Sequence, residues 1–86
     1  MKRATLKKIL YLEMEKYENK TYDALLTINY PYIYEIEYDG QTFTIEMELL
    51  EQKDEYLNVG FIIDAIEERK FINQIFPVGS NIIIDK

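Results

Sequence analysis

An α+β domain is the architecture this sequence predicts, and three observations carry it. Apolar residues recur at three- and four-residue spacing along residues 4–18, the period shifts to two from Tyr22 onward, and an Asp39-Gly40 pair divides two runs of strict alternation. The expectation is an N-terminal helix, an antiparallel sheet with a central Asp39-Gly40 hairpin, a second helix at about 65–76 and a final strand at 81–85. All of it falls in one domain spanning residues 1–86. The alternative is a small β-barrel with one N-terminal helix.

In the first helix, Leu6, Ile9, Leu10, Met14 and Tyr17 form one apolar stripe, and Asn19 serves as a stop. Its start carries Lys2, Arg3, Lys7 and Lys8, the unfavourable sign for a helix N-terminus. Leu26, Ile28 and Tyr30 then alternate with Leu25, Thr27 and Asn29, which suggests a first strand; Pro31 marks a turn, bulge or edge.

Asp-Gly is the favoured two-residue type I′ loop, because both central positions need positive φ. Taken as the loop, it pairs Tyr38 with Gln41, Glu37 with Thr42, Ile36 with Phe43 and Tyr34 with Ile45. Both strands then sort in phase. Tyr32, Tyr34, Ile36, Tyr38, Phe43, Ile45, Met47 and Leu49 share one face. Ile33, Glu35, Glu37, Thr42, Thr44, Glu46 and Glu48 share the other. A slip of one residue would destroy that agreement.

Glu51 to Glu55 reads as a charged loop and Leu57 to Ile63 as a strand with Gly60 at a bulge. Asp64-Ala-Ile-Glu67 resembles a capping box and favours a helix over 65–76, ending before Pro77. The barrel alternative instead makes 61–67 and 70–76 two strands around Glu68-Arg69. Residues 77–80 turn the chain into the last strand, whose Ile82-Ile83-Ile84 run places it inside the sheet or at a subunit contact.

Composition removes several chemistries. The 86 residues include no histidine, cysteine or tryptophan, so histidine-dependent triads, thiol redox centres and N/S zinc sites are excluded. No P-loop, EF-hand spacing or glycine-rich phosphate cradle occurs, and the only glycines are Gly40, Gly60 and Gly79. The paired glutamates alternate along strands instead of converging, so no catalytic residue, metal site or cofactor is expected. The apolar run Ile9 to Leu12 is too short for a signal segment, and nothing approaches a membrane span. The reading is a soluble, cytoplasmic protein without membrane contact. Ile, Lys, Asn, Tyr and Phe supply 38 residues, an AT-rich codon usage that suits a low-GC bacterium, a phage or another mobile element.

The net charge of −6 is unevenly spread: residues 1–8 carry +4, residues 21–68 carry −11 and residues 69–86 carry +2. No lysine or arginine lies between Thr21 and Gln52. Glu35, Glu37, Glu46 and Glu48 on the hairpin's outer face, with Asp39 at its tip, are therefore the candidate partner-binding residues. Two plainer readings compete with this. The glutamates keep a small β-rich protein soluble and unpaired at its edges, or the basic N-terminus folds over them. Tyr30, Tyr32, Tyr34 and Tyr38, placed on the inner face, are read as core and rim residues, with an aromatic interface as the alternative.

The function these features favour is that of a small acidic, non-catalytic interaction protein of the inhibitor or immunity type. It would dock its anionic hairpin face on a basic site of a larger protein, in the sharpest version as a nucleic-acid mimic acting on a nucleic-acid-handling protein. Direct nucleic-acid binding is not expected, since the same charge repels phosphates. The alternative is a structural or assembly protein that forms a homo-oligomer through its tyrosine-rich face or its C-terminal strand.

Overall fold

The computed structural model describes residues 3–65 and 78–86. Helix α1 spans Arg3–Glu18 and a short helix α2 spans Tyr22–Leu26; four strands follow, β1 at Tyr32–Tyr38, β2 at Gln41–Gln52, β3 at Tyr56–Ala65 and β4 at Val78–Asp85. The strands form one antiparallel sheet in the order β1-β2-β3-β4. The sheet is open, with β1 and β4 at its two edges, so the barrel alternative does not hold and the α+β expectation does.

The hairpin forms in the expected register, from Tyr38 opposite Gln41 to Tyr32 opposite Met47. Asp39 and Gly40 have φ of 51° and 76°, the left-handed pair that a type I′ loop requires. Alternation then gives the sheet two unlike faces. Phe43, Ile45 and Met47 of β2, Leu57, Val59, Phe61 and Ile63 of β3, and Val78 and Ile82 of β4 are buried on the inner one. Helix α1 lies across β4 and β3 on that side and buries Leu6, Ile9, Leu10 and Met14. Helix α2 adds Tyr22 and Leu25 to the same core.

Several segments depart from the expectation. The strand expected over residues 25–30 is instead helix α2 and a loop. The Thr21 side chain caps the helix by accepting from the Ala24 N–H at 3.1 Å, and the Thr27 hydroxyl donates to the Ala24 carbonyl at 2.6 Å. Tyr22 and Leu25 reach the core at a spacing of three, and threonines at both ends satisfy the backbone locally. Tyr30 accordingly sits in a loop and not on the sheet. The bulge lies at Leu50 on β2 and not at Gly60. Gly60 is the residue that Leu50 covers, since a Cβ at position 60 would come within 2.9 Å of Leu50 Cδ1.

Asp64 and Ala65 belong to β3, so Asp64 does not cap a helix beginning at 65; the rest of the expected 65–76 helix lies outside the described residues. The last strand begins at Val78, earlier than expected, and lies at an edge of the sheet instead of inside it.

Candidate functional site

The outer face of the sheet is the surface the sequence singles out, and the register arranges it in rows. Residues two apart along a strand are separated by about 6.8 Å. Starting at the loop, the first row holds Glu37 and Thr42, and the second Glu35, Thr44 and Asp64. The third holds Ile33, Glu46, Ile62 and Gly79, the fourth Glu48, Gly60 and Asn81, and the fifth Glu51, Asn58 and Ile83. Every row thus carries a glutamate, on β1 for the first two rows and on β2 for the remaining three. Asp39 extends the line at the loop and is exposed.

The four strands contain no lysine or arginine. Glu35 and Glu37 are exposed, whereas Glu46 and Glu48, on an interior strand, are half-buried. None of these four has an ion-pair partner among the described residues. Glu51 differs: it accepts from the Tyr56 hydroxyl at 2.6 Å and lies 3.9 Å from Lys53 Nζ. That hydrogen bond holds the Tyr56 hydroxyl protonated above the usual tyrosine range.

Apolar side chains interrupt the acids. Ile33 is 58% exposed, Leu50 55% and Ile83 57%, a cost to solvation that an ordinary polar sheet face avoids. A depression lined by Ile33, Thr44, Glu46, Ile62 and Asp64 lies beside Ile33 on this face. Helix α1 sits on the opposite face, so the sheet separates Lys7 and Lys8 from the hairpin glutamates. The alternative in which the basic N-terminus folds over those glutamates therefore does not hold for Lys7 and Lys8.

The tyrosines form no continuous aromatic face. Tyr22 is buried and donates to the Lys53 carbonyl at 2.6 Å, and Tyr30 donates to the Leu25 carbonyl at 2.8 Å. Burial raises the pKa of Tyr30. Tyr32 and Tyr38 remain exposed at the β1 edge, with the Tyr32 ring 5.3 Å from that of Tyr34.

A polar network on the helix side has a component the sequence reading passed over. Glu13 is only 7% exposed, within the stripe of α1 that faces the sheet. Its carboxylate accepts from Tyr34 Oη at 3.0 Å and from Lys16 Nζ at 2.6 Å, and the Tyr17 hydroxyl donates to Tyr34 Oη at 3.2 Å. The sequence signal was the spacing Ile9-Glu13-Tyr17, which places an acid in an apolar row. The Glu13 hydrogen bond raises the pKa of Lys16.

Burial, reinforced by Tyr17, holds the Tyr34 hydroxyl protonated far above the usual tyrosine range. The unfolded chain releases that proton near pH ~10 and the folded chain does not. Tyr34 therefore contributes its full stability below about pH 10, and the contribution is lost as pH rises beyond that. The expected result is a melting temperature that falls steeply above about pH 10, with a shallower alkaline slope in Tyr34→Phe. Equal slopes in the two proteins would contradict it.

Among the described residues, no group of acids converges closely enough to hold a metal ion, and no helix is long and apolar enough to cross a membrane. No protein-family model matches the chain, and no curated protein or solved structure matches it.

Proposed function

We propose that this protein is a small, non-catalytic binder of the inhibitor or immunity type that docks the outer face of its sheet on a cationic site of a larger protein. One observation carries the reading: a glutamate in each of five successive rows, with no cation on any strand and with exposed Ile33, Leu50 and Ile83 set among them. Acids serving solubility alone would not require large apolar side chains beside them. Protein interfaces combine both, with apolar contacts for affinity and opposite charge for rate and orientation.

The row spacing of about 6.8 Å is close to the repeat of an extended nucleic-acid backbone. In the sharpest form of the proposal, the carboxylates occupy phosphate positions on a nucleic-acid-handling protein. Asp39 lies at the end of the line and would meet the rim of such a groove.

The test is capture of partners from host lysate on immobilised protein, washed in parallel at low and high salt. The expected result is a stoichiometric cationic protein that high salt releases, because screening weakens exposed charge pairs first. Recovery of this chain alone, unaffected by salt, would overturn the proposal.

A further inference from the structure

The two edges of the sheet are not equivalent. An edge strand exposes a row of unpaired N–H and C=O groups, and proteins commonly guard it with charge, proline or a bulge. Edge β1 is guarded: Pro31 precedes it, and Glu35 and Glu37 lie along it. Laid antiparallel on a second β1 over its full length, it would set Glu35 against Glu35. Edge β4 reads Val-Gly-Ser-Asn-Ile-Ile-Ile-Asp, carries no charge before Asp85, and keeps an unbroken register with β3. Among the described residues, no strand lies on its far side.

Which backbone groups are left over follows from one hydrogen bond. The Lys86 N–H donates to the Glu55 carbonyl at 2.9 Å. Antiparallel ladders alternate, so the N–H groups of Ile84, Ile82 and Ser80 also point at β3. Those of Gly79, Asn81 and Ile83 therefore point away from β3, along an edge that no strand of the described residues occupies.

This set is self-complementary. Antiparallel pairing about a two-fold axis at Ile82 places Ile83 opposite Asn81 of the second copy and Gly79 opposite Asp85 of the second copy. Inward-facing residues meet inward-facing ones, and no like charges meet. The exposed Ile83 side chain also gains neighbours from the second β4.

We infer that β4 pairs edge to edge with β4 of a second copy of this chain, giving a two-fold dimer with one continuous sheet. This goes beyond the docking proposal, because pairing at the edge leaves the glutamate rows of both copies open on one side. A strand seam alone falls below the ~1,200 Å² typical of stable interfaces, so the dimer is concentration-dependent.

Sedimentation equilibrium of the full chain over a broad concentration series tests this, together with amide hydrogen exchange on the same samples. The expected result is a shift from monomer to dimer that persists at high salt. Exchange at Gly79, Asn81 and Ile83 should slow as concentration rises, while exchange along the β1 edge stays constant. Ile83→Pro removes an outward N–H without breaking a β3–β4 hydrogen bond and is expected to stay monomeric.

A wild-type chain that remains monomeric throughout would overturn the inference. So would a dimer in which those three amides exchange freely, or an Ile83→Pro variant that is folded and dimerises as wild type does. If that variant fails to fold, the exchange measurement on the unaltered chain decides. Because salt dissolves the docked complex and not this dimer, the two proposals fail separately.

Discussion

Phe61→Ala is expected to destabilise the fold by about 3–5 kcal/mol, the range for removing a fully buried aromatic side chain. Phe61 is 0% exposed, with its ring centroid 5.5 Å from that of Tyr17. It lies on the inner face of β3, between Met47 of β2 and Ser80 of β4. Two hydrogen-bonded strands and a helix bound the cavity that truncation would leave, so little of it can collapse. Domains of this size hold roughly 0.05–0.15 kcal/mol per residue, and the loss would consume much of that margin. In denaturant titrations the midpoint should fall sharply with an unchanged slope. Leu12→Ala, at a position 43% exposed, should move it little. A Phe61→Ala loss below about 1 kcal/mol would mean that the core is not packed as described.

The second large effect is expected on binding. Reversing Glu35, Glu37, Glu46 and Glu48 to lysine changes the formal net charge from −6 to roughly +2 by simple charge counting. Each contact with a cationic partner then becomes repulsive, and mutating rim charges acts chiefly on association. The affinity for the protein recovered from lysate should drop at least about a hundredfold, equivalent to about 2.7 kcal/mol. The fold should survive. None of the four glutamates has an ion-pair partner among the described residues, and lysine stems at positions 46 and 48 can lie along the sheet with their heads in water. Titration of the purified partner, with circular dichroism of the variant alongside, measures both. Binding within a few-fold of wild type would remove the glutamate line from the interaction.

How much of this was legible in the sequence depended on how local the determining physics is. The hairpin could be read because a two-residue loop fixes register, and register fixes the face of every side chain on both strands; the rows of glutamates follow from it. Helix α2 could not be read in the same way. Its five residues are too few for a period to emerge, and the caps at Thr21 and Thr27 decide it. The Ile82-Ile83-Ile84 run revealed its hydrophobicity but not its position. Ile82 is buried on the side of the sheet that α1 covers while Ile83 is exposed on the other, a difference set by strand alternation once the helix occupies one face. Glu13 was visible as an acid in an apolar row, but its partner Tyr34 is distant in the chain and is supplied only by tertiary structure. Ile33 already shared the glutamate face in the hairpin register, whereas the exposed Leu50 and Ile83 became part of that face only once the bulge and the sheet order were known.

Gly60 has a bearing on the topography of that face. With no side chain at position 60, Leu50 reclines over the bare backbone of β3, and a Cβ there would meet Leu50 Cδ1 at 2.9 Å. The relief beside Glu48 is therefore set by an omission and not by an added group. A single methyl at position 60 would tip Leu50 outward like a raised tile, changing the contour presented to a visitor while leaving its electrostatic potential almost untouched. Shape and charge on this surface are consequently under separate genetic control, one residing in a glycine and the other in the glutamates.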